Sequence, residues 1–149
     1  MTDTSVDKFY LTHMFTIELP SAQISNITSI SGLNLEVAVV EQKVVAPDGK
    51  EVIRKLPGRH TASTITVKRP LTQDKSLWDW AKLIADGKIA EARTEGAVVL
   101  FDATGTETGR WTFEQAWISK WSASDLDAGS DDPMIEEATI QIEYLKRDK

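Results

Sequence analysis

Residues 110–121 read RWTFEQAWISKW and contain three of the five tryptophans of this 149-residue chain. Every second residue after Trp111 is in turn Phe, Gln, Trp, Ser and Trp. In an extended strand these side chains lie on one face. Each aromatic ring buries about 150–250 Å², so such a face is expected to be covered. The stretch therefore predicts a long β-strand with Trp111, Phe113, Trp117 and Trp121 in the core.

Alternating apolar residues predict further strands on both sides of this stretch. The segments are residues 15–19, 33–40, 64–67 and 135–145, with an irregular one at 24–30. Residues 97–102 are almost entirely apolar, so burial on both faces is expected there. The pattern predicts a mainly β fold, a compact antiparallel β-barrel of two packed sheets.

One α-helix is predicted at about residues 74–86, flanking the barrel. Leu77, Trp80 and Ile84 belong to one apolar stripe, with Asp74 or Ser76 as N-cap and Gly87 at the C′ position. The two tryptophans of this helix, Trp78 and Trp80, are expected to join the core beside the aromatic strand.

A protruding hairpin is predicted at about residues 42–59. Pro47-Asp48-Gly49 is a strong turn signal, and apolar residues flank it on both sides. On residues alone, an unpartnered surface hairpin is the commoner interpretation of so long a loop. The alternative is an arm that docks on another subunit.

Composition limits the classes of function. The length indicates a single domain, 1–149. A net charge of −6 and a pI near 4.9 argue against direct nucleic-acid readout. The absence of cysteine excludes disulfides and thiolate chemistry. The polar start is unlike a signal peptide, and no apolar run reaches the roughly 18 residues of a transmembrane segment.

An acidic loop offers one candidate metal site. Four acids stand at positions 1, 3, 7 and 12 of a calcium-type loop: Asp125, Asp127, Asp131 and Glu136. The glycine expected at the sixth position is replaced by Ser130, and the flanks read as strands. A solvated or interface loop is the favoured interpretation, so no metal is predicted.

No catalytic residue and no cofactor are predicted. His13 and His60 lie far apart in the sequence, and neither a nucleophile elbow nor a phosphate loop is present. The adjacent acids Glu136 and Glu137 point to opposite faces of a strand. The aromatic strand leaves one alternative of another class, a carbohydrate-binding β-sandwich that stacks sugars on an exposed tryptophan face.

Several short motifs follow one another in a particular order. They are Ser31-Gly32-Leu33, Lys55-Leu56-Pro57-Gly58, Val67-Lys68-Arg69, Leu77-Trp78-Asp79-Trp80, Val99-Leu100-Phe101-Asp102 with Gly105, Trp111-Thr112-Phe113 with Ala116-Trp117, Lys120-Trp121 and the strand Ile140–Tyr144. Together they resemble the tail tube protein family of contractile phage tails and phage-tail-like contractile injection systems, over about Phe9 to Tyr144. Pro70 departs from the glycine common in the family, and residues 46–50 are less glycine-rich.

The resemblance implies a fold like the haemolysin-coregulated protein and a structural role without enzymatic activity. It implies hexameric rings that stack into a hollow inner tube. The implied partners are further copies of the chain, a sheath, baseplate or spike proteins, tube-terminating proteins and lumen cargo. Assembly is expected in the bacterial cytoplasm, as part of a phage virion or an injection particle. A tube initiator or distal tube paralogue is the alternative within the family.

With this resemblance, the docking arm becomes the favoured interpretation of the hairpin. The expected subunit-interface residues of the arm are Lys43, Val44, Val45, Lys50, Val52, Ile53, Arg54, Lys55, Leu56 and Pro57. Asp125, Asp127 and Asp131 are expected to form a second contact. Either face of several strands would serve to line the bore.

Overall fold

The computed structural model describes residues 14–61, 64–129 and 131–149. The elements in chain order are β1 Phe15–Glu18, β2 Gln23–Ile24, β3 Ser29–Ser31, β4 Glu36–Val45, β5 Glu51–Thr61, β6 Thr64–Pro70, α1 Ser76–Ala85, α2 Ile89–Ala92, β7 Thr94–Phe101, β8 Glu107–Ala123, β9 Ile135–Gln141 and β10 Tyr144–Arg147. The prediction of two antiparallel sheets, a flanking helix and a hairpin arm is confirmed.

Strand β8 belongs to both sheets of the body. Its first half pairs with β7, and its second half pairs with β9. The hydrogen-bonded order is β2-β1-β7-β8-β9-β6-β3, with β10 also on β8. Within the described residues, β2 and β3 are the two edge strands of this order. The inner side chains of both halves meet in one apolar cluster that includes Ile17, Ile65 and Phe113.

The side-chain alternation of β8 is interrupted at Gln115, which has a left-handed φ of 55°. Two residues of β8 oppose one residue of β7 at this bulge. Phe113 is buried before the bulge, whereas Ala116 and Ile118 are buried after it. Trp117 therefore points away from the core. The prediction that the strand has one aromatic face is wrong, because the bulge moves Trp117 to the outer side. A second register shift, between Ile118 and Lys120, returns Trp121 to the inner side, where it packs against the core.

The closing segment is divided at the same place. Tyr144 of β10 pairs with Glu114, and Gln141 of β9 pairs with Trp117. The expected single strand 135–145 is thus two strands. Ile142 and Glu143 separate them opposite the kink at Gln115, which leaves no straight ladder to continue.

Helix α1 is shorter than the expected range of 74–86. Lys75 holds the N-cap position, while Asp74 accepts a 3.0 Å hydrogen bond from the backbone N–H of Ser76. The C-terminus is as expected, because Gly87 has a φ of 79°. The N–H groups of Gly87 and Lys88 donate to the carbonyls of residues 84 and 83, which forms a Schellman motif.

The helical side of the fold contains a second helix that the sequence pattern does not reveal. The indole N–H of Trp80 donates a 2.7 Å hydrogen bond to the carbonyl of Ala92 at the end of α2. Both residues are buried. The bond joins α2 to α1 and satisfies the indole, since a buried N–H without a partner is costly. The prediction that residues 97–102 are buried on both faces is confirmed for Ala97, Val98 and Val99 of the next strand, β7, which are at most 3% exposed. Leu100, Phe101 and Asp102 are half-buried.

Candidate subunit interface

The arm is a separate two-stranded sheet formed by β4 and β5. It is inserted between β3 and β6, which are neighbouring strands of the body. With strands of 10 and 11 residues, it is longer at its base than the predicted 42–59. At about 3.3 Å per residue it extends roughly 33 Å. At the tip, the backbone N–H of Lys50 donates to the Asp48 carboxylate at 3.1 Å.

The register of the arm separates its side chains into two faces. Directly opposed residues share a face, so Val40 with Leu56 and Val44 with Val52 belong to one side. The Gln42–Arg54 pair lies between them, and the Glu36–Thr61 pair lies at the base of the arm on this mainly apolar side. The opposite face alternates apolar residues with charged ones, including the cross-strand pair of Glu41 and Lys55.

The arm exposes far more apolar surface than a free hairpin tolerates. Seven of its large apolar side chains are exposed: Val37, Val39, Val40, Val45, Val52, Ile53 and Leu56. Val40, Val52 and Leu56 lie on the mainly apolar side, and the other four lie on the opposite side. An isolated two-stranded hairpin is at best marginally stable in water, and exposed apolar patches mark interaction sites. Every arm residue expected at an interface is exposed, except Val44, which is half-buried. The arm is therefore suited to a partner surface.

The acidic loop is a second exposed element. Asp125, Asp127 and Asp131 are all exposed, and Leu126 beside them is 81% exposed. The backbone N–H of Gly129 donates to the Asp127 carboxylate at 2.9 Å. These acids thus lie on the surface, where they are available for contact.

The twelfth position of the calcium-type pattern does not lie in this loop. Glu136 is 1% exposed and forms an ion pair inside the body, so it cannot complete the ligand set. Among residues 14–61, 64–129 and 131–149, no group of three potential metal ligands is present. His13 lies outside the described residues, while His60 stacks on Tyr144 with ring centres 6.4 Å apart.

Comparison with known proteins identifies the family. Residues 11–146 match the family model described as T4-like virus tail tube protein gp19. The chain belongs to the tail tube protein family. It is therefore a structural subunit of a tail tube. No curated protein sequence matches the chain.

Solved structures share the fold of this tail tube protein at low sequence identity. A chain of the extended PVC sheath–tube complex, an extracellular contractile injection system, is 19% identical with a TM-score of 0.76, covering 99% of this chain and 98% of that one. A chain of the anti-feeding prophage tube-terminating cap is 20% identical with a TM-score of 0.78, covering 99% and 96%. Hcp1 from Flavobacterium johnsoniae is 14% identical with a TM-score of 0.50, covering 91% and 94%.

The tryptophans of the tail tube protein are only partly in its core. Trp80 is buried, as is Phe113, whereas Trp111, Trp117 and Trp121 are half-buried. Trp78 is 44% exposed, so its assignment to the core is wrong. Residues two apart on a helix point about 200° apart, and Trp80 occupies the inward position. Trp78 instead packs edge-on against Trp121, with ring centres 4.9 Å apart.

A buried ion pair is the main feature of the tail tube protein that sequence reasoning missed. Arg69 and Glu136 are 2% and 1% exposed, and the Arg69 Nε–H donates to the Glu136 carboxylate. The same guanidinium donates to the Asp74 carboxylate and carbonyl, each at 3.1 Å. The Trp121 indole N–H donates to the second Glu136 oxygen at 3.1 Å. These bonds hold the start of α1 against strands β6, β8 and β9.

The sequence does contain a signal for this pair. Arg69 continues the inward register of Ile65 and Val67, and Glu136 continues that of Ala138 and Ile140. Charged residues at inward positions predict a mutual partner, because an unpaired buried charge is very costly.

The Asp74 carboxylate beside this pair is also stabilised. The backbone N–H of Ser76 is the largest of the contacts that lower the pKa of Asp74 below its ordinary 3.8; the Ser76 hydroxyl and the Arg69 guanidinium lower it further. No helix in the described part of the tail tube protein is long and apolar enough to span a membrane.

Proposed function

We propose that this tail tube protein forms hexameric rings that stack into the inner tube of a contractile injection system or contractile phage tail. The observation that carries the proposal is the arm: a hairpin about 33 Å long with one mainly apolar face and no packing on its own body sufficient to cover it. A tube supplies the missing cover, because each copy offers its arm to the next ring.

Related structures support the assembly and its partners. The similar PVC chain is part of a sheath–tube complex, and another similar chain comes from a six-fold symmetrised anti-feeding prophage baseplate. A chain from a gene transfer agent tail with C6 symmetry has a TM-score of 0.57. For this chain we propose the same class of partners: copies of itself, a sheath and a baseplate. The particle assembles in the bacterial cytoplasm, and the chain has no enzymatic role.

Charge favours the docking of the arm on another copy. The arm carries five basic and four acidic side chains in a chain whose net charge is −6. The arm is thus net positive, and the remaining body is strongly acidic. Opposite charges guide two surfaces together, although single exposed ion pairs each contribute only about 0–1 kcal/mol. Repetition around and along the tube makes the contacts collectively important. Asp125, Asp127 and Asp131 are proposed as acidic partners.

A tube terminator or initiator is the second candidate. The anti-feeding prophage cap and the PVC tube terminator have TM-scores of 0.78 and 0.77, as high as the PVC sheath–tube complex at 0.76. By contrast, the carbohydrate-binding alternative requires an exposed aromatic face on which sugars can stack. The bulge at Gln115 places Trp117 on the opposite face from Phe113, so the strand offers no continuous aromatic surface.

Negative-stain electron microscopy of the purified protein tests the proposal. We expect stacked rings for a main tube subunit and single or short stacks for a terminator or initiator. A solution that contains only monomers at high concentration contradicts both candidates.

A double substitution tests the role of the arm. Arg54→Glu with Lys55→Glu is expected to shorten or abolish stacks, because the arm becomes net negative and is repelled by the acidic body. Lys82→Glu with Lys88→Glu makes the same change in charge on the exposed helical side and serves as the control. Circular dichroism checks that both variants are folded. Equal stacking by the two variants argues against the arm as the inter-ring contact.

A further inference from the structure

The dipeptide Asp-Gly occurs twice in this chain, at Asp48-Gly49 and at Asp86-Gly87. An aspartyl bond to glycine rearranges more readily than other aspartyl bonds, because no Cβ hinders the approach of the glycine nitrogen to the aspartate side chain. All four residues are exposed, and the two glycines have left-handed φ values of 84° and 79°. A Cβ at either glycine would meet open space. The two sites therefore differ mainly in the structure that holds them.

The first pair lies at the tip of the arm, in a turn that hydrogen bonds keep closed. The Gly49 N–H donates to the Ala46 carbonyl at 2.9 Å, and the Ala46 N–H donates to the Lys50 carbonyl at 2.8 Å. The Lys50 N–H in turn donates to the Asp48 carboxylate. Both groups that would react with each other are thus occupied in the closed turn, so the rearrangement requires the turn to open.

Little opposes this opening in a free subunit. The arm is a separate two-stranded sheet, and Val45 and Val52 beside its turn are 71% and 45% exposed. Separation of the tip therefore breaks a few hydrogen bonds and uncovers little buried apolar surface. Local opening of such a segment has a free energy near zero, whereas the opening of core elements approaches the global free energy of unfolding.

The second pair is held by structure on both of its sides. Asp86 is the C-cap of α1, and the Gly87 N–H donates to the Ile84 carbonyl at 3.0 Å. Helix α2 begins two residues later and is joined to α1 by the buried bond from Trp80 to Ala92. Release of the Gly87 nitrogen therefore disturbs packed elements, which makes this site the slower of the two.

We propose that Asp48-Gly49 is a site of spontaneous isomerisation to isoaspartate in the free subunit, and that docking of the arm in a tube suppresses the reaction. The Gly49 nitrogen bonds to the side-chain carboxyl carbon of Asp48. The nitrogen's proton leaves with the carboxyl hydroxyl group as one molecule of water, and a five-membered succinimide ring remains. Water then opens the ring at either carbonyl. One product is the original aspartate, and the other is isoaspartate, in which the backbone runs through the side chain.

Isoaspartate lengthens the backbone of the turn by one methylene. The register that pairs Val45 with Glu51 and Val44 with Val52 depends on the length of this turn. The added atom disrupts the closing hydrogen bonds, so the tip no longer presents the same surface to a partner. A subunit that stays unassembled therefore loses docking capacity with time, whereas an assembled one keeps it. The protection by docking rests on the proposed function.

Tryptic peptide mapping tests the proposal with an internal control. Cleavage after lysine releases residues 44–50, VVAPDGK, and residues 83–88, LIADGK, so both bonds lie in peptides with the same three last residues. Dilute, unassembled protein is incubated at neutral pH for several days, and isoaspartate is identified by chromatography with electron-transfer fragmentation. We expect at least about tenfold more isoaspartate in peptide 44–50, which corresponds to about 1.4 kcal/mol in local opening. In urea-unfolded protein the two peptides should react at similar rates.

The outcomes separate this inference from the proposed function. Equal isoaspartate in the two peptides of the folded protein, or none in peptide 44–50, overturns the proposed site. Tubes incubated in parallel should retain aspartate in peptide 44–50, and equal reaction in tubes and free subunits refutes protection by docking although tubes form. If no tubes form, the proposed function fails and protection by docking falls with it, whereas the reaction of the free subunit is still decided by the two peptides.

Asp48→Glu tests whether isomerisation of the tip controls docking. Glutamate keeps the negative charge, but it would have to close a six-membered ring, which is much slower. Incubated wild-type subunits should lose stacking in proportion to their isoaspartate content, as measured by sedimentation. Incubated Asp48→Glu subunits should stack as well as fresh ones. Equal losses in the two proteins would show that isomerisation of the tip does not limit docking.

Discussion

Substitution of Glu136 by glutamine is expected to destabilise the folded subunit severely. Glutamine keeps the size of the side chain but removes the negative charge that balances the Arg69 guanidinium, which is only 2% exposed. Removing one partner of a buried pair costs about 3–5 kcal/mol. The Asp74 carboxylate remains 3.1 Å from the guanidinium and compensates in part. We therefore expect about 3 kcal/mol, the low end of the range, which for a chain of this length lowers the Tm by roughly 6–12 °C.

The next residue along the chain is a matched control. Glu137 points to the outer face, where its pair with Lys68 has side chains 43% and 50% exposed. Glu137→Gln should change the free energy of unfolding by no more than about 1 kcal/mol. Urea unfolding followed by tryptophan fluorescence measures both, and Trp121, bonded to Glu136, reports locally. If the two variants have the same stability, the ion pair does not hold α1 to the sheets as argued.

Two further substitutions test local geometry and charge. Gly32→Ala should lower the free energy of unfolding by more than about 2 kcal/mol, because the strain of a left-handed backbone adds to a Cβ placed 1.9 Å from the Thr64 carbonyl oxygen. Gly49→Ala is the control, because Gly49 has a similar φ but open space around it, so only the backbone strain is expected. Equal decreases in Tm for the two variants would refute the clash. Because the folded-state pKa of Asp74 is lowered, its contribution to stability is present above 3.8 and lost as pH falls through the lower folded value. Asp74→Asn should therefore be less stable than wild type at about pH 5, and the difference in urea midpoint should narrow as the pH falls below 3.8. A difference that does not narrow contradicts the lowered pKa.

Much of this fold can be read from local patterns because its strands alternate regularly. The arm and the helix C-terminus are cases where turn chemistry is strong and the elements form nearly where expected. The arm extends beyond the predicted residues 42–59 since Glu36–Thr61 pairs without help from the body. Its interface residues stay a prediction, because exposure alone identifies no partner.

The failures have different causes, and only the bulge depends on tertiary contacts alone. The bulge at Gln115 depends on a left-handed backbone that only the meeting of β7, β8 and β10 selects, and it overrides the two-residue period of the tryptophans. Trp78 was placed in the core although the helical period separates it from Trp80. The inward register of Arg69 and Glu136 indicates that each needs a buried partner, but it does not identify that partner 67 positions away.

The dual membership of β8 has a consequence for synthesis on the ribosome. Two of its partners, β9 and β10, are translated only between residues 135 and 147, whereas the arm is complete by residue 61. At about 5–20 residues per second, roughly 4–17 seconds separate the two events. We expect a nascent chain to expose its own arm well before its body can bind the arm of another copy. Polymerisation is then delayed until the chain is released. Ribosome-bound chains truncated before residue 135 should then fail to join growing tubes, and their incorporation would disprove this order of events.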